Sequence, residues 1–424
     1  MDSMAPKKIV ILGGNSETGA IVEVANAMGL YSIVIDPYLN SPSKKKAAKT
    51  YEIDVRDLDA IDQVIQHEKA DGVLVGVADP LVSYYQKICA RNNFYCYANE
   101  KSIHALTSKS NFAQKCIEFK ISVTPNFNID YSLESHIAKL DYPVVVKPVD
   151  AGAGVGISVC RNSDEFKKGV NKALTVSISK ELIVEKFMEC DDIFVYYTFV
   201  DGIAYISAIA DRYKTDKQGH FSSVCIAAEY PSQHTKRFVT EVHPKLVEMF
   251  QDLGIQNAVL TIQFFVDKEN FYAYDPGFRL QGEAPHLYLK YFNNFDHREM
   301  LLQYALNGMI YDDDFHQVND YTFNNKFATT VWILLKAGRI DYISGLDAIS
   351  SQCNVIKIMQ RLEIGDTVTS ELIGTERQVF ARIYTVSESV NKSMELIDFI
   401  NTSLKVLDEF GNSMILDQYH KKIG

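Results

Sequence analysis

Three apolar segments separated by helical patterns constrain the fold of the first hundred residues. The segments "KKIVILGG", "YSIVIDP" and "DGVLVGVADP" read as strands, and apolar residues recur at helical spacing after the first of them. Strands that alternate with helices form βαβ units, which place the strands side by side in a parallel sheet. We therefore predict a Rossmann-like α/β domain over residues 1–105.

The remainder of the chain predicts two further units. From "YPVVVKPV" the sequence becomes rich in strands, returns to helix in "TKRFVTEVHPKLVEMFQDLG", and has a mixed pattern after about residue 320. A chain of 424 residues exceeds one ordinary hydrophobic core. We predict a second domain over residues 106–315, with a subdomain at about 125–200, and a C-terminal α+β domain over 316–424.

Charge and cysteine content exclude several classes of partner. A net charge of −11 argues against general binding of nucleic acid or acidic membranes, which requires an excess of Lys and Arg. No apolar run approaches the ~20 residues that cross a bilayer. Seven cysteines are scattered without a C-x-x-C pair, which is typical of reduced thiols in a cytoplasmic protein. We expect no nucleic-acid and no membrane partner.

A glycine-containing turn, "GGNSETG", follows the first strand, where dinucleotide-binding proteins carry G-x-G-x-x-G. Ser16 stands where the second glycine would allow the backbone to approach a pyrophosphate. NAD binding is therefore disfavoured. The segment could be a tight structural turn, but we favour a helix start whose N–H groups hold a substrate anion such as a carboxylate.

The segment "PVVVKPVDAGAGVGISV" places a lysine in an apolar strand before three glycines in five residues. An unpaired ammonium at Lys147 would be costly there, and the glycines lose much backbone entropy on folding. A loop that closes over phosphates accounts for both features. The structural alternative is a glycine-rich hairpin with a lysine that reaches solvent.

Two later segments end strands with charged residues. In "LIVEKFMECDD", Glu185 could accept from an adenine amino group and Asp192 could hold ribose hydroxyls, although the pattern taken alone favours an ordinary strand end. In "LTIQFFVDKENFYAYDPGFRLQGE", a hairpin would place Gln263 and Asp275 opposite each other. Their oxygens suit Mg²⁺, which takes few protein ligands besides phosphate oxygens. Arg279 offers a planar fork to a carboxylate or phosphate.

The order and spacing of these motifs resemble the ATP-grasp superfamily, in its carbamoyl-phosphate synthetase and biotin carboxylase branch. The resemblance covers the whole chain and implies an α/β ATP-grasp fold with an N-terminal pre-ATP-grasp domain and a C-terminal α+β domain. By resemblance, the nucleotide-binding residues are Lys109, Lys147, Gly152, Gly154, Gly156, Glu185, Lys186, Met188 and Asp192. Gln263 and Asp275 stand at the two metal positions, and the catalytic residues are Lys147, Arg279 and Glu283.

The sequence departs from the family pattern at three positions. The usual metal motif is E-x-N-x-R, whereas this chain has D-P-G-F-R, so Asp275 replaces the glutamate and Gly277 replaces the asparagine. Arg279 and Glu283 match the R-x-Q-x-E of biotin carboxylases, but the histidine that follows there is Ala284 here.

The resemblance implies a ligase that uses ATP and Mg²⁺, or Mn²⁺ in its place, to join a small-molecule carboxylate to an amine, with a homodimer as the expected assembly. A substrate carboxylate would attack the γ-phosphate, and an amine would then displace phosphate from the acyl phosphate. Two alternatives stay open. One is a carboxylase or carbamoyl-phosphate-type enzyme that uses bicarbonate, and the other is an ATP-binding protein without catalysis.

Overall fold

The structure is a computed structural model that describes residues 5–149, 155–215 and 224–421. Strands in these ranges form four sheets, of four, eight, three and three strands. None of the helices in the described ranges has the length and apolar character needed to span a membrane.

The N-terminal part is built on a four-stranded parallel sheet in the order β3-β2-β1-β4, which matches the predicted βαβ pattern. The strands β1, β2 and β4 are almost entirely buried, because helices cover the sheet on its faces, whereas the edge strand β3 is mostly exposed. The elements are β1 (Lys8–Leu12), α1 (Ser16–Ala27), β2 (Tyr31–Ile35), β3 (Lys49–Tyr51), α2 (Leu58–Glu68), β4 (Gly72–Val75), α3 (Val82–Asn92), α4 (Glu100–Leu106) and α5 (Lys109–Glu118).

A small unit follows, with a three-stranded antiparallel sheet in the order β6-β5-β7. Its elements are α6 (Glu134–Ile137), β5 (Val144–Pro148), β6 (Ser158–Cys160), α7 (Ser163–Val176) and β7 (Leu182–Lys186). Its buried residues, including Val144, Phe166 and Val184, form a core separate from the main one. A unit with its own core can move as one piece, so we refer to residues 134–149 and 155–186 as the lid.

The largest element is an eight-stranded antiparallel sheet in the order β12-β11-β8-β9-β10-β13-β17-β15. Its strands are β8 (Asp191–Val200), β9 (Ile203–Lys214), β10 (Cys225–Tyr230), β11 (Ala258–Val266), β12 (Phe271–Gly277), β13 (Phe327–Leu334), β15 (Val355–Gln360) and β17 (Val379–Ser387). Helices α8 (Thr235–Glu241), α9 (His243–Asp252), α10 (His286–Asn293), α11 (His297–Asn307) and α12 (Phe315–Val318) lie between these strands in the chain.

The last described part contains a three-stranded sheet in the order β16-β14-β18. Its elements are β14 (Gly338–Ser344), α13 (Leu346–Ser350), β16 (Thr367–Val368), α14 (Val390–Ser403) and β18 (Lys405–Asp408). Strand β13 pairs with β10 in antiparallel register, so the eight-stranded sheet runs across the expected boundary at residues 315 and 316. Strand β8 also pairs within this sheet, although residues 191–200 fall in the expected subdomain range. The domain boundaries stay predictions.

Candidate active site

A cleft of about 940 Å³ lies where the lid, the eight-stranded sheet and the N-terminal sheet meet. Its volume is in the range of sites that enclose a small ligand. Ten residues predicted from the sequence line it: Lys109, Lys147, Glu185, Lys186, Met188, Asp192, Gln263, Asp275, Arg279 and Glu283. The cleft therefore brings together residues that are up to 174 positions apart in the chain, from Lys109 to Glu283.

The lysine of the lid is paired with a glutamate on the neighbouring strand. Lys147 Nζ lies 2.6 Å from Glu185 Oε2, and the two side chains are 7% and 14% exposed. Strands β5 and β7 pair in antiparallel register, with Val145 opposite Glu185, which brings the two side chains to the same wall. The ion pair explains how the apolar strand accommodates an ammonium. The Lys147 side chain is buried against Glu185, so it does not extend to solvent as the structural alternative required.

The glycine loop is only partly described. Gly152 and Gly154 lie outside the described residues. Gly156 has a φ of +81°, and a Cβ there would approach Pro148 Cγ to 3.0 Å. This glycine therefore meets a backbone requirement of the lid, since most other residues are strained at positive φ.

Two further lid-side residues line the cleft at the end of β7. Lys186 is half exposed, and its ammonium lies 3.5 Å from Asp141 Oδ2, at the outer edge of the lid. Its backbone N–H donates to Pro125 O. Met188 follows in the short connection to β8. These positions leave the nucleotide roles of Lys186 and Met188 as predictions.

The predicted hairpin exists, and it contains a β-bulge at the site. Gln263 on β11 pairs with Asp275 on β12, while Phe264 pairs with Ala273, so Tyr274 is an extra residue. A bulge changes the direction in which the neighbouring side chains point. Here the Tyr274 hydroxyl donates to Gln263 Oε1 at 2.7 Å, and its ring stacks on Phe265 with centroids 4.2 Å apart.

The carboxylate of Asp275 faces the start of helix α5. Its Oδ1 lies 3.6 Å from Lys109 Nζ, and the Asp275 side chain is 34% exposed. Ser108 caps this helix by accepting from Asn111 N, which fixes the position of Lys109 in the first turn. A partly exposed carboxylate beside a lysine suits a Mg²⁺ ion that also binds phosphate oxygens.

Asp192 is the centre of a cluster of charges under the cleft. Its side chain is 5% exposed, and it forms ion pairs with Lys214 and with Arg212 Nη1, the latter at 3.3 Å. The Tyr274 hydroxyl oxygen lies 3.0 Å from Asp192 Oδ1. Asp192 thus holds two cations in place, and its predicted contact with ribose stays a prediction.

Arg279 is held by a carboxylate of the N-terminal domain. Its Nη2 lies 2.7 Å from Asp79 Oδ2, and its Nη1 donates to Gln281 Oε1 at 2.9 Å and to Leu280 O at 3.0 Å. Burial lowers the pKa of the guanidinium, but Asp79 and Glu283 raise it, and the pKa lies above its ordinary value. Its Nε is buried without a partner among the described residues.

The side chains of Glu283 and Arg279, both within the described ranges, form no hydrogen bond and no ion pair with each other. The backbone carbonyl of Glu283 accepts from the Tyr384 hydroxyl at 3.1 Å, which fixes the chain at this point. Within the described ranges, its carboxylate has no hydrogen bond and no ion pair with another residue. The carboxylate lines the cleft and is therefore available to a ligand.

A cluster of two arginines and two glutamates closes the far end of the cleft. Arg382 Nη2 lies 2.6 Å from Glu376 Oε2, and Arg361 Nη1 lies 3.1 Å from the same oxygen. Arg361 also pairs with Glu17, in the first turn of α1. Burial raises the pKa of Glu17, but Arg361 and Arg382 lower it below its ordinary value. The cluster ties the N-terminal domain to β17.

The start of helix α1 carries its own cap. Asn15 Oδ1 accepts from Thr18 N at 2.8 Å, and Gly13 has a φ of +115° that suits the tight turn before it. Because the Thr18 N–H group already donates to Asn15, it is not available to an anion, and this weakens the interpretation of the segment as an anion site. The geometry favours the structural turn.

Several cleft residues escaped the sequence analysis, namely Glu17, Asp79, Arg212, Lys214, Tyr274, Arg361, Glu376 and Arg382. For two of them, the sequence pattern could have indicated a place in the site. Asp79 follows β4 at the carboxyl edge of a parallel sheet, where ligands commonly bind. Arg382 lies within the buried strand "VFARIYTVS", the same kind of signal that identified Lys147.

Comparisons with known families and proteins show what this chain is similar to. Residues 116–274 match the family model described as D-ala D-ala ligase C-terminus. The formate-dependent phosphoribosylglycinamide formyltransferase of Wolinella succinogenes is 25% identical over 272 residues, which are 62% of this chain and 68% of that protein. The enzyme of the same name from Methanocaldococcus jannaschii is 27% identical over 190 residues, 43% of this chain and 48% of that protein.

Solved structures resemble nearly the whole chain. The L-amino acid ligase from Bacillus licheniformis superimposes with a TM-score of 0.77 at 17% identity, over 96% of this chain and 100% of that one. Biotin carboxylase from Campylobacter jejuni superimposes with a TM-score of 0.71 at 17% identity, over 96% of this chain and 93% of that one. At these identities the structural matches establish a shared fold.

Proposed function

Because this chain is an ATP-grasp protein, we propose that it is an ADP-forming ligase that activates a carboxylate as an acyl phosphate and joins it to an amine. The observation that carries the proposal is the convergence of charges in one cleft. The lid supplies the Lys147–Glu185 pair, helix α5 and the hairpin supply Lys109 and Asp275, and Arg279 lies further along the same segment. The proposed ligase uses ATP with Mg²⁺.

The lid and the hairpin form the nucleotide end of the cleft. Lys147 and Lys109 would bind phosphate oxygens, and Asp275 would hold the Mg²⁺ ion. When bound, the ion would supply positive charge beside the phosphates, so that an anionic carboxylate could approach. The separate core of the lid lets it cover the phosphates as a unit, which keeps water away from the acyl phosphate.

Arg279 lies at the end of the cleft where we place the substrate carboxylate. Its guanidinium is fixed in the cleft by Asp79 and Gln281, so it presents a rigidly oriented positive charge to the substrate carboxylate. A carboxylate oxygen bonds to the γ-phosphorus while the bond from that phosphorus to the ADP oxygen breaks. The amine nitrogen then bonds to the carbonyl carbon, and phosphate leaves with the transferred oxygen. Glu283 orients the amine and accepts its proton.

One observation favours bicarbonate as a second candidate for the carboxylate. Arg279, Gln281 and Glu283 follow the R-x-Q-x-E order of biotin carboxylases, and Arg279 donates to Gln281 in the structure. Ala284 stands where the biotin carboxylase pattern has histidine, and this difference favours an organic carboxylate. A homodimer remains our expectation for the assembly.

A screen for substrate-stimulated ADP release tests the proposal. The protein, with ATP and Mg²⁺, is offered amino acids, formate, short organic acids and bicarbonate, each with and without a pool of amines. The amino acids are included because a structural neighbour is an L-amino acid ligase. We expect at least one carboxylate and amine pair to stimulate ADP release at least tenfold. Bicarbonate-dependent release without an organic acid would favour the second candidate. Failure of every pair, with intact ATP binding, would contradict the ligase assignment.

A further inference from the structure

The side-chain amide of Gln281 is turned back onto its own segment of the chain. Its Nε2 donates to the backbone carbonyls of Gly277 and Arg279, at 2.8 and 2.9 Å respectively. Its Oε1 accepts from Arg279 Nη1 at 2.9 Å. An amide has two N–H donors, and both donors of Gln281 are used in these bonds. Gln281 lines the cleft, but it has no N–H group left for a substrate oxygen.

The same bonds set the direction of the Arg279 guanidinium. Its Nη1 has two N–H groups, which donate to Gln281 Oε1 and to Leu280 O. Its Nη2 donates to Asp79 Oδ2, and its Nε is buried. One N–H of Nη2 therefore remains without a partner among the described residues, and this group can donate to a substrate. Because hydrogen bonds are directional and a single donor is left, the orientation of the guanidinium decides where a carboxylate can bind.

Gly277 provides the space in which the Gln281 amide lies. A Cβ on Gly277 would lie 2.7 Å from Gln281 Nε2 and 3.3 Å from Gln281 Oε1. The three nearest heavy atoms outside its chain neighbours would all belong to Gln281. The backbone of Gly277 does not have a positive φ, so its conformation alone would accept another residue. What excludes a side chain at this position is the Gln281 amide.

A larger residue at position 277 would move the end of the Gln281 side chain, which is flexible, and would leave the hairpin backbone in place. The displaced amide would lose its bond to the carbonyl of residue 277, and Arg279 would lose an acceptor for Nη1. The asparagine of the family pattern would therefore exclude the orientation that Gln281 has here. The glycine at this position affects Arg279 as well as the number of oxygen ligands.

We propose that Gln281 is a positioning residue that directs the guanidinium of Arg279 toward the substrate carboxylate, and that Gly277 is required because any side chain there displaces Gln281. The inference rests on the proposed ligase function and adds two residues to its carboxylate end. Arg279 contacts the carboxylate, Gln281 sets the direction of Arg279, and Gly277 leaves room for Gln281.

Crystal structures of the wild type and of Gly277→Ala test the inference without any substrate. We expect the alanine to move the Gln281 amide away from the carbonyl of residue 277 and to break its bond with Arg279 Nη1. The matched control is Gly19→Ala on α1, where a new Cβ would lie 3.4 Å from its nearest neighbour, Ser43 Cα, and Gln281 should keep its three hydrogen bonds. A Gly277→Ala structure that retains these three bonds would overturn the inference and leave the ligase proposal intact.

Kinetics with the carboxylate identified by the ADP-release screen test the role of Gln281. We expect Gly277→Ala and Gln281→Ala each to lower kcat/KM for the carboxylate about tenfold, as for loss of a hydrogen bond to a charged group. The KM for ATP should stay unchanged, because neither change touches the phosphate end of the cleft. The double variant should be no worse than Gln281→Ala alone, since the alanine at position 277 then has no amide to displace.

The contrary outcomes separate the inference from the proposed function. Normal kcat/KM in folded Gln281→Ala, or a double variant in which the two losses multiply, would overturn the positioning role and leave the ligase proposal intact. Melting temperatures confirm folding, and if Gly277→Ala does not fold, Gln281→Ala alone decides. If no carboxylate stimulates ADP release, the proposed function fails, and the positioning role fails with it.

Discussion

Replacing Arg279 with lysine is expected to lower substrate-stimulated turnover about 10²–10³-fold, as for loss of one donor to a developing charge. Lysine keeps the positive charge but cannot hold Asp79, Gln281 and a substrate carboxylate in one plane. Affinity for a non-hydrolysable ATP analogue should change little, because Arg279 lies four residues beyond Asp275, the carboxylate that we propose to bind the metal ion. ADP release and calorimetry with the analogue measure the two effects.

A structural role for Arg279 would leave a different signature. In that case Arg279→Lys and Asp79→Asn would lower the melting temperature by similar amounts. Turnover would then fall only as far as the fraction of folded protein falls. Arg298→Lys is the matched control. This arginine pairs with Asp296 at 2.6 Å, with side chains 14% and 4% exposed, and neither residue lines the cleft. A stable Arg279→Lys protein with nearly normal turnover would remove Arg279 from the chemistry.

Replacing Lys147 with alanine is expected to weaken binding of the ATP analogue about 10- to 150-fold. A charge-assisted contact to a phosphate contributes about 1.5–3 kcal/mol, and each 1.4 kcal/mol corresponds to a factor of ten. The variant also leaves Glu185 without its partner at the phosphate end of the cleft, where its negative charge repels the ligand. Calorimetry with the analogue and Mg²⁺ measures the change.

Two further variants separate phosphate binding from maintenance of the lid. Lys167→Ala removes a lid lysine that pairs with Glu134 at 2.5 Å outside the cleft, and it should leave analogue affinity unchanged. Lys147→Ala with Glu185→Gln removes both charges. If the double variant regains wild-type affinity, the ion pair shapes the lid and Lys147 does not bind phosphate. A persistent loss of at least tenfold supports the direct contact.

The fold class and the ATP-grasp resemblance predicted from the sequence are confirmed, and specific residues explain why they could be predicted. The N-terminal strands are buried on both faces, so they appear as continuous apolar runs that a short sequence window detects. Local patterns were sufficient for the strands and for the hairpin. The turn at Asp267 and Asn270 sets the hairpin register as far as Phe264 and Ala273, and the bulge at Tyr274 then shifts it so that Gln263 pairs with Asp275.

Other parts of the site have no local signal. The extra residue of a bulge, Tyr274, is indistinguishable in the sequence from any other strand residue, yet it connects Gln263 to Asp192. The partner of Arg279 is Asp79, 200 positions earlier, and only the packing of two domains brings them together. Likewise, β13 continues the sheet of β10 because of tertiary pairing, which a change in composition near residue 316 does not reveal.

The most direct measurement of the central claim follows oxygen atoms from the carboxylate. Once the screen has identified a substrate, its carboxyl group is labelled with ¹⁸O, and the phosphate released in a single turnover is analysed by mass spectrometry. An acyl phosphate intermediate transfers one labelled oxygen to inorganic phosphate, with ADP as the nucleotide product. We predict this result. Unlabelled phosphate, or label recovered in AMP, would contradict activation by attack on the γ-phosphate.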